Sequence, residues 1–359
     1  MRKKKGKIGW MALKIDLEKA YDIFEWKFVH ETLVELNIPI ALINLIMHCV
    51  TSVSTQVLWN GSVFETFNPS RGIRQGDLLS PYLFVLCMER PTHAIQGGIE
   101  LGAWKPIKLS RNEPQLSHLF FANDLVIFAE TSLEQVDMVK QVFVDFCASS
   151  GQKVSAAKSR IFFSANVPNG ARDMICHRLG YEEVDNLGMY LGVPLIHKRV
   201  TKVTHGYLIQ KVRSKLSGWK AKNLSLAGRI ILAKSVLSSI LAYTMQFVLL
   251  PINVCNEIEG LIRRFLWGGS DERKGVSLVN WEEVCKPTTK GGLGIRQVFA
   301  QNKTFLMKVA FNLVTRPDCL WVQVLRSKYK WPQDLPNSIY QHGSSRLWQG
   351  LGKIWEEVK

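Results

Sequence analysis

Two acidic residues stand at the ends of apolar segments, Asp16 after Met11–Ile15 and Asp124 before Leu125–Phe128. A carboxylate at the end of a buried strand is costly unless something compensates its charge. Two such carboxylates brought together would repel each other unless a cation lay between them. Mg²⁺ prefers oxygen ligands and is usually held by one or two carboxylates plus substrate phosphates. The pair therefore indicates phosphoryl transfer assisted by two metal ions.

Apolar periodicity and turn residues predict the elements that must position these carboxylates. A strand over 11–15 ends at Asp16, and a hairpin holds Asn123-Asp124 at its turn, between residues 119–122 and 125–128. The other elements predicted for this half are a helix over 17–37 ended by Pro39, a helix over about 40–50, a hairpin over 55–67 around Asn60-Gly61, a polar loop over 70–77, a helix from an N-cap at Ser80 to about Met88, a helix over 132–149 stopped by Gly151, and a strand ending at Phe162-Phe163.

The second half of the chain has a different character. From about residue 166 onward, long helical patterns dominate. Residues 196–234 hold ten Lys or Arg and no Asp or Glu, namely Lys198, Arg199, Lys202, Lys211, Arg213, Lys215, Lys220, Lys222, Arg229 and Lys234. We predict two domains, over 1–165 and 166–359.

The composition points to a globular protein that binds a polyanion. The 359 residues are 47% hydrophobic, which excludes a disordered tail. The net charge is +16, from 46 Lys and Arg against 30 Asp and Glu, and nucleic acid is the default partner of so basic a protein. The basic cluster Arg2–Lys5 is compatible with nuclear import, and we expect an intracellular protein.

The cysteines and the apolar stretches exclude several other classes. The seven cysteines are scattered, with no Cys-x-x-Cys pair, which argues against a disulfide framework and a zinc knuckle. No apolar segment follows the basic N-terminus, so we predict no signal peptide. The most apolar stretch, Val236–Pro251, is short and carries four polar residues, which favours a buried helix, and we expect no membrane partner.

Five blocks of this sequence resemble, in order, the motifs of reverse transcriptases from non-LTR (LINE-type) retrotransposons of plants. They are Lys14–Asp22 (motif A), Arg71–Pro81 (motif B), Phe121–Asp124 (motif C), Gly151–Ser159 (motif D) and the following Tyr190–Pro194. Two later stretches, Trp219–Arg229 and Gly291–Arg296, resemble the C-terminal region of plant LINE-type polyproteins. The resemblance covers nearly the whole chain.

The resemblance implies an RNA-directed DNA polymerase that adds deoxynucleoside triphosphates to a DNA primer on an RNA template. It implies Mg²⁺, with Mn²⁺ as an alternative, and an RNA–DNA duplex that the basic stretch 196–234 contacts as a thumb. The implied roles are metal binding by Asp16 and Asp124 in a catalytic set completed by position 123, exclusion of the ribonucleotide 2′-OH by Tyr21, template and base-pair contacts by the motif B residues Arg74, Gln75 and Gly76, and triphosphate binding by Lys158.

The sequence departs from the family at motif C. The family has Asp, the stricter metal ligand, where this chain has Asn123. An amide oxygen is neutral and a weaker ligand for a hard dication, and changing even an outer partner of a metal ligand costs ~10–100-fold. Asp124 need not substitute, because neighbouring residues at a tight hairpin project differently. Leu78, where the family has Pro, should only loosen a loop.

The ends of the chain suggest an excised part of a longer polyprotein. The sequence begins just before motif A, so we expect the fingers segment and the endonuclease domain of the family to be missing. No zinc-binding or ribonuclease H segment is recognised at the C-terminal end. Both the Asn123 change and the missing fingers predict impaired polymerisation.

Each feature has a simpler interpretation when it is taken alone. Asp16 could cap the following helix, and Asn123-Asp124 could be only a hairpin turn. Tyr21 could be a core aromatic residue of an amphipathic helix, and the loop 70–77 an ordinary turn. The basic stretch 196–234 could be only a solvated face. Their joint occurrence in the order of the family favours the reverse transcriptase interpretation.

We expect an α+β fold, with a palm of a small antiparallel sheet backed by helices, followed by a mostly helical thumb and connection region. Three functional hypotheses follow. The chain is a working polymerase, a catalytically dead module that still holds a nucleic-acid duplex, or a retrotransposon fragment without activity. Primer extension by the chain and by Asn123→Asp separates them.

Overall fold

The computed structural model describes residues 6–108, 114–191, 193–194, 205–218, 224–268, 276–331 and 335–358. The chain divides into two compact units, Met1–Leu195 and Ile196–Lys359. The segment 166–194 therefore belongs to the first unit. Its helix 169–179 packs against the helix 133–150, and its strand 182–183 pairs with the strand 160–163 of the palm sheet. The boundary predicted at 165/166 between palm and thumb stays a prediction.

In its described residues, the first unit combines a small sheet with five helices, as the α+β prediction requires. Its elements are β1 (Trp10–Asp16), α1 (Trp26–Glu35), α2 (Ile40–Thr51), β2 (Leu58–Trp59), β3 (Ser62–Val63), α3 (Ser80–Glu100), β4 (His118–Phe121), β5 (Asp124–Glu130), α4 (Leu133–Ser150), β6 (Arg160–Phe163), α5 (Asn169–Leu179), β7 (Glu182–Glu183), β8 (Met189–Tyr190) and β9 (Val193–Pro194).

The main sheet has the strand order β4-β5-β1-β6-β7. All of its pairs are antiparallel except β6 with β7. Alternate residues of β1, namely Met11, Leu13 and Ile15, are fully buried in one core with the helices. Aromatic rings of that core meet edge to face, with Phe24 on Phe84 (centroids 5.6 Å apart). The strand predicted over 11–15 is thus paired with a neighbouring strand on each edge and packed against the core on one face.

The hairpin predicted around Asn60-Gly61 is confirmed. Leu58 pairs with Val63 and Trp59 with Ser62. Asn60 and Gly61 both have positive φ, of 47° and 82°, which is the backbone of a two-residue type I′ turn.

The helix predicted over 17–37 is wrong in its first half. The helix α1 begins only at Trp26, and residues 17–25 form a bridge and turns. The reason is non-local, since the amides of Glu18 and Glu25 donate to the carbonyls of Lys153 and Ser150 (both 2.9 Å) instead of to a helical turn. Tyr21 therefore lies on a loop and not on an amphipathic helix.

For the helix predicted from an N-cap at Ser80 to Met88, the observed N-cap is one residue earlier, and the observed C-terminal end is much later. Its N-cap is Leu79, whose amide donates to Asp77 Oδ1 (2.8 Å), and Ser80 is already helical. The helix α3 continues through Pro91 to Glu100. The helix predicted over 132–149 is confirmed as α4, with Ser132 as N-cap and Gly151 (φ +75°) as C-cap.

The described elements of the second unit are all helical, which confirms the mostly helical prediction. They are α6 (Gly206–Gly218), α7 (Leu226–Leu232), a π-helical turn (Ala233–Leu237), α8 (Ser238–Met245), α9 (Ile252–Leu266), α10 (Trp281–Cys285), a 3₁₀ turn (Thr288–Lys290), α11 (Val298–Thr315), α12 (Leu320–Lys328) and α13 (Arg346–Val358). Two buried clusters form its interior, one around α9 and one around α11 and α13.

One helix of the second unit, Leu226–Met245, is long and apolar enough to cross a membrane by length and composition, with a mean hydropathy of 1.4. It begins before the stretch 236–251, for which a buried helix was predicted, because α7, the π-helical turn and α8 run on as one helix. From residue 236 onward this helix is buried only in part, at Leu237, Leu241, Thr244 and Met245. The prediction that the protein has no membrane partner stays a prediction.

The seven cysteines are free thiols and differ strongly in their surroundings. Cys87 and Cys255 are buried, and burial raises the pKa of each thiol to about 12. Cys49 is exposed on α2. Because the thiolate is the reactive form, we expect a maleimide or iodoacetamide to label Cys49 first. Cys87 and Cys255 should stay unlabelled until the protein unfolds, as peptide mass spectrometry of a time course would show. Labelling of all three at equal rates would contradict the buried positions.

Candidate active site

The two carboxylates predicted as metal ligands lie opposite each other on the central strands. Asp16 is the last residue of β1 and Asp124 the first residue of β5, and they are direct partners in the antiparallel register. Direct partners of an antiparallel pair project from the same face, with Cβ atoms roughly 4.5–5.5 Å apart. The structure thus brings Asp16 and Asp124 together at one end of the sheet.

The hairpin turn decides which residue of motif C faces Asp16. The turn of the β4–β5 hairpin consists of Ala122 and Asn123, and Ala122 takes the left-handed φ of 49°. Asn123 is exposed in this turn, whereas Asp124 is half-buried and paired. The turn is therefore one residue earlier than the predicted Asn123-Asp124. Adjacent residues do project differently, as expected, and it is Asp124 that lies opposite Asp16.

Motif D fixes the backbone of Asp16 on its other side. Ser155 donates its amide to the carbonyl of Asp16 (2.9 Å), and Ser159 Oγ accepts from the amide of Asp16 (3.2 Å). Lys158, between these serines, has its Nζ 3.9 Å from Asp16 Oδ1. The ammonium is largely exposed, so a triphosphate could reach it from solvent. The sequence reasoning missed both serines, although their spacing of four around Lys158 was visible.

The loop 17–25, which carries Tyr21, is held between motifs B and D. On the side of motif B, the amide of Gly72 donates to the carbonyl of Phe24 (2.7 Å), and that of Ile73 to the carbonyl of Tyr21 (2.8 Å). On the side of motif D, the buried Gln152 donates its Nε2 to the carbonyl of Ala20 (2.7 Å). Both neighbouring loops therefore determine where Tyr21 lies.

The predicted substrate-binding residues lie around this loop. The half-buried ring of Tyr21 stacks on Phe84 with centroids 4.6 Å apart. Gln75 donates its Nε2 to Asp22 Oδ1 (3.2 Å), which places it beside Tyr21. Arg74 and Gly76 are exposed in the same loop. Motifs A, B and D thus meet at one place, with motif C joined to them through the register of Asp16 and Asp124.

The donor set fits a divalent ion held partly by substrate. Within the described parts of the chain, no group of three or more His, Cys, Asp or Glu could hold a metal ion. Asp16 and Asp124 alone supply two carboxylates, and a hard cation such as Mg²⁺ commonly has only one or two from the protein, with phosphates and water completing its shell. At Asn123, where the family has Asp, this set of ligands has a neutral amide and therefore lacks one negative charge.

The family of reverse transcriptases (RNA-dependent DNA polymerases) matches residues 1–193, over which these four motifs converge. The chain belongs to this family. Reverse transcriptases generally use divalent metal ions and bind RNA and DNA. The match confirms the palm fold and the reverse transcriptase domain predicted from the five blocks.

Known proteins similar to the chain include retrotransposon products. A putative ribonuclease H protein of Arabidopsis thaliana is 42% identical over 137 residues, which are 38% of this chain and 22% of that protein. The Pol polyprotein of a type-2 retrotransposable element of Drosophila melanogaster is 30% identical over 144 residues, which are 40% of this chain and 13% of the polyprotein. The matched parts are therefore less than a quarter of either relative.

The similarity extends to solved structures at low identity. Telomerase from Candida albicans, solved in complex with a fragment of telomeric RNA, aligns over 88% of this chain and 51% of its own, with a TM-score of 0.40 and 12% identity. The sequence relatives confirm the resemblance to non-LTR retrotransposon reverse transcriptases. The comparisons do not favour the hypotheses of a dead binding module or an inactive fragment.

The basic stretch 196–234 is described only in part. Lys211, Arg213 and Lys215 are exposed on α6. Arg229 instead donates to the carbonyls of Leu224 (3.2 Å) and Leu266 (3.0 Å), so it also ties helices together. Five of the ten cations lie outside the described residues, namely Lys198, Arg199, Lys202, Lys220 and Lys222. Duplex binding by this stretch stays a prediction.

Proposed function

We propose that the first unit catalyses Mg²⁺-dependent addition of deoxynucleotides to a DNA primer on an RNA template, with Asp16 and Asp124 as the metal ligands. The observation that supports this most is the direct register of Asp16 with Asp124, beside the ammonium of Lys158. A bound divalent ion would supply the positive charge that activates the primer hydroxyl and stabilises the pyrophosphate.

Each of the site residues would have its own role in the proposed reaction. Asp16 presents its carboxylate from a strand end whose backbone is held by hydrogen bonds to two serines. Because the carboxylate is already oriented, little free energy would be needed to position it during the reaction. Lys158 lies where it can balance the charge of a triphosphate that approaches Asp16. Tyr21, fixed on Phe84, would exclude a ribonucleotide 2′-OH, and Gln75 would contact the incoming base pair together with Arg74 and Gly76.

Asn123 would then set the rate. It lies in the turn next to Asp124, where the family has a carboxylate, and it can offer only a neutral amide oxygen. The positive charge of the divalent ions would therefore be balanced by one carboxylate fewer. We propose that polymerisation is slowed for this reason and not abolished, because Asp16 and Asp124 still provide the one or two carboxylates that Mg²⁺ needs.

Replacing Asp16 with Asn tests the metal site directly. We expect the change to weaken Mn²⁺ binding at least about tenfold, because it removes one of two charged ligands. Mn²⁺ binding would be measured by electron paramagnetic resonance, which needs no catalysis, and primer extension on an RNA template should fall in parallel. The matched control is Glu18→Gln, which removes an exposed carboxylate two residues away, in the loop 17–25 that follows the strand. Equal Mn²⁺ affinity in Asp16→Asn and in the control would reject Asp16 as a ligand.

A further inference from the structure

A groove of ≈ 630 Å³ lies within the second unit, between the segment 282–297 and one face of α11. Ligand pockets are usually about 300–1,000 Å³, so the groove is large enough for a nucleotide or two. It is far along the chain from the four polymerase motifs, and its lining includes Arg296, the last residue of the glycine-rich block Gly291–Arg296 that the polymerase chemistry does not use.

The glycine-rich block positions Arg296 on one wall of the groove. The amides of Leu293 and Gly294 donate to the carbonyls of Val284 (3.0 Å) and Lys286 (2.8 Å), so the chain folds back on itself. A Cβ at Gly292 would lie 2.1 Å from the carbonyl oxygen of Lys286, which no side chain tolerates. The glycines therefore allow a close backbone approach that leaves Lys286 and Arg296 on the same groove.

The opposite wall is a single face of α11. Its lining residues recur at helical spacing, and they include Gln301, Phe305 and Lys308. Gln301 is only 8% exposed, and its side chain lines the groove. Because a side-chain amide both donates and accepts hydrogen bonds, Gln301 can pair with the polar groups of an occupant.

The charges of the groove favour an anion. Lys286 is paired with Glu283, but Arg296 and Lys308 are exposed and form no ion pair with described residues. Among the described residues of the lining, Glu282 is the single acidic one. Two free cations thus flank an apolar groove that contains the half-buried ring of Phe305.

We propose that this groove binds a single-stranded segment of nucleic acid, with phosphates on Arg296 and Lys308, a base against Phe305, and a polar base edge on Gln301. Aromatic rings beside cations are the usual means of holding single strands, because every base has a face to stack and every linkage carries a charge. Burial, together with Glu259, raises the pKa of Cys285 in the lining to about 11, so a neutral thiol adds no competing anion there. The site is separate from the proposed polymerase chemistry and stands without it.

Cross-linking to the full chain locates the bound strand on the peptide that contacts it, whatever other basic surfaces contribute to the total affinity. With an oligouridylate that carries 4-thiouridine, we expect a cross-link to Phe305, in the tryptic peptide Thr304–Lys308. Phe305→Leu keeps an apolar side chain in the core and should remove this cross-link. It should also weaken binding about 5- to 100-fold if the lost stacking dominates. Cross-links confined to other peptides would overturn the proposal.

The charge requirement is tested by a matched pair of double variants. Arg296→Glu with Lys308→Glu should lower the slope of log affinity against log salt by about 1.4, at about 0.7 per phosphate contact of a single strand. Arg316→Glu with Lys353→Glu makes the same charge change at exposed positions of the second unit outside the groove lining. Fluorescence anisotropy with the same oligouridylate measures both. An equal loss in the two double variants would mean that only net charge matters, and would overturn the site.

Discussion

Replacing Asn123 with Asp is expected to raise the rate of Mg²⁺-dependent primer extension about 10- to 100-fold, the range by which even outer partners of metal ligands change activity. The change restores a carboxylate beside Asp124 without adding bulk. Asn123 is exposed in the β4–β5 turn, so the substitution should cost little stability. Steady-state extension of a DNA primer on an RNA template, at several Mg²⁺ concentrations, provides the measurement.

A second hairpin provides the matched control. Asn60 also lies in an exposed two-residue turn, and Asn60→Asp makes the same charge change away from the motifs. We expect extension by this variant to equal that of the unaltered chain. The proposal that Asn123 limits the rate would be wrong if Asn123→Asp gave no gain, or if both variants gained equally.

Local turn chemistry made parts of the fold predictable from sequence. The Asn60-Gly61 hairpin and the Gly151 helix end depend on residue types that accept positive φ. The presence of these residue types in the sequence therefore predicts both features. The true start of α1 could not be predicted in this way. Residues 17–25 have a helical apolar pattern, but the amides of Glu18 and Glu25 donate to the carbonyls of Lys153 and Ser150, which are remote in sequence. A single sequence does not reveal such a competitor.

The site was predictable in its composition but not in its register. The sequence placed Asp16, Tyr21, Gln75 and Lys158 in motifs A, B and D, and the structure brings Lys158 to Asp16 and Gln75 to the loop of Tyr21. Which residue of motif C faces Asp16 depends on the turn, since a shift of one residue moves every side chain to the other face of a strand. The left-handed residue of that turn is Ala122, a type that gives no signal for positive φ.

Replacing Gly72 with Ala is expected to have the largest effect of any small substitution near the site. Gly72 has a φ of +87°, and a Cβ there would lie 2.5 Å from the carbonyl oxygen of Asp22. Left-handed strain costs about 1–3 kcal/mol, and the backbone clash adds a similar amount. Relief requires that the loop 17–25 move away from motif B, which would break the hydrogen bond of Ile73 to Tyr21.

The effect can be separated from glycine strain alone. Gly76 in the same loop has a φ of +89°, and nothing lies within 4 Å of a Cβ placed there, so Gly76→Ala carries the strain without the clash. Hydrogen exchange followed by mass spectrometry should show faster exchange in residues 17–25 for Gly72→Ala, and little change there for Gly76→Ala. The loop carries Tyr21, which we propose excludes the ribonucleotide 2′-OH. Gly72→Ala should therefore also discriminate less strongly against ribonucleotides relative to deoxyribonucleotides. Equal exchange in both variants would mean that motif B does not hold the loop, and that the position of Tyr21 depends on Gln152 and motif D instead.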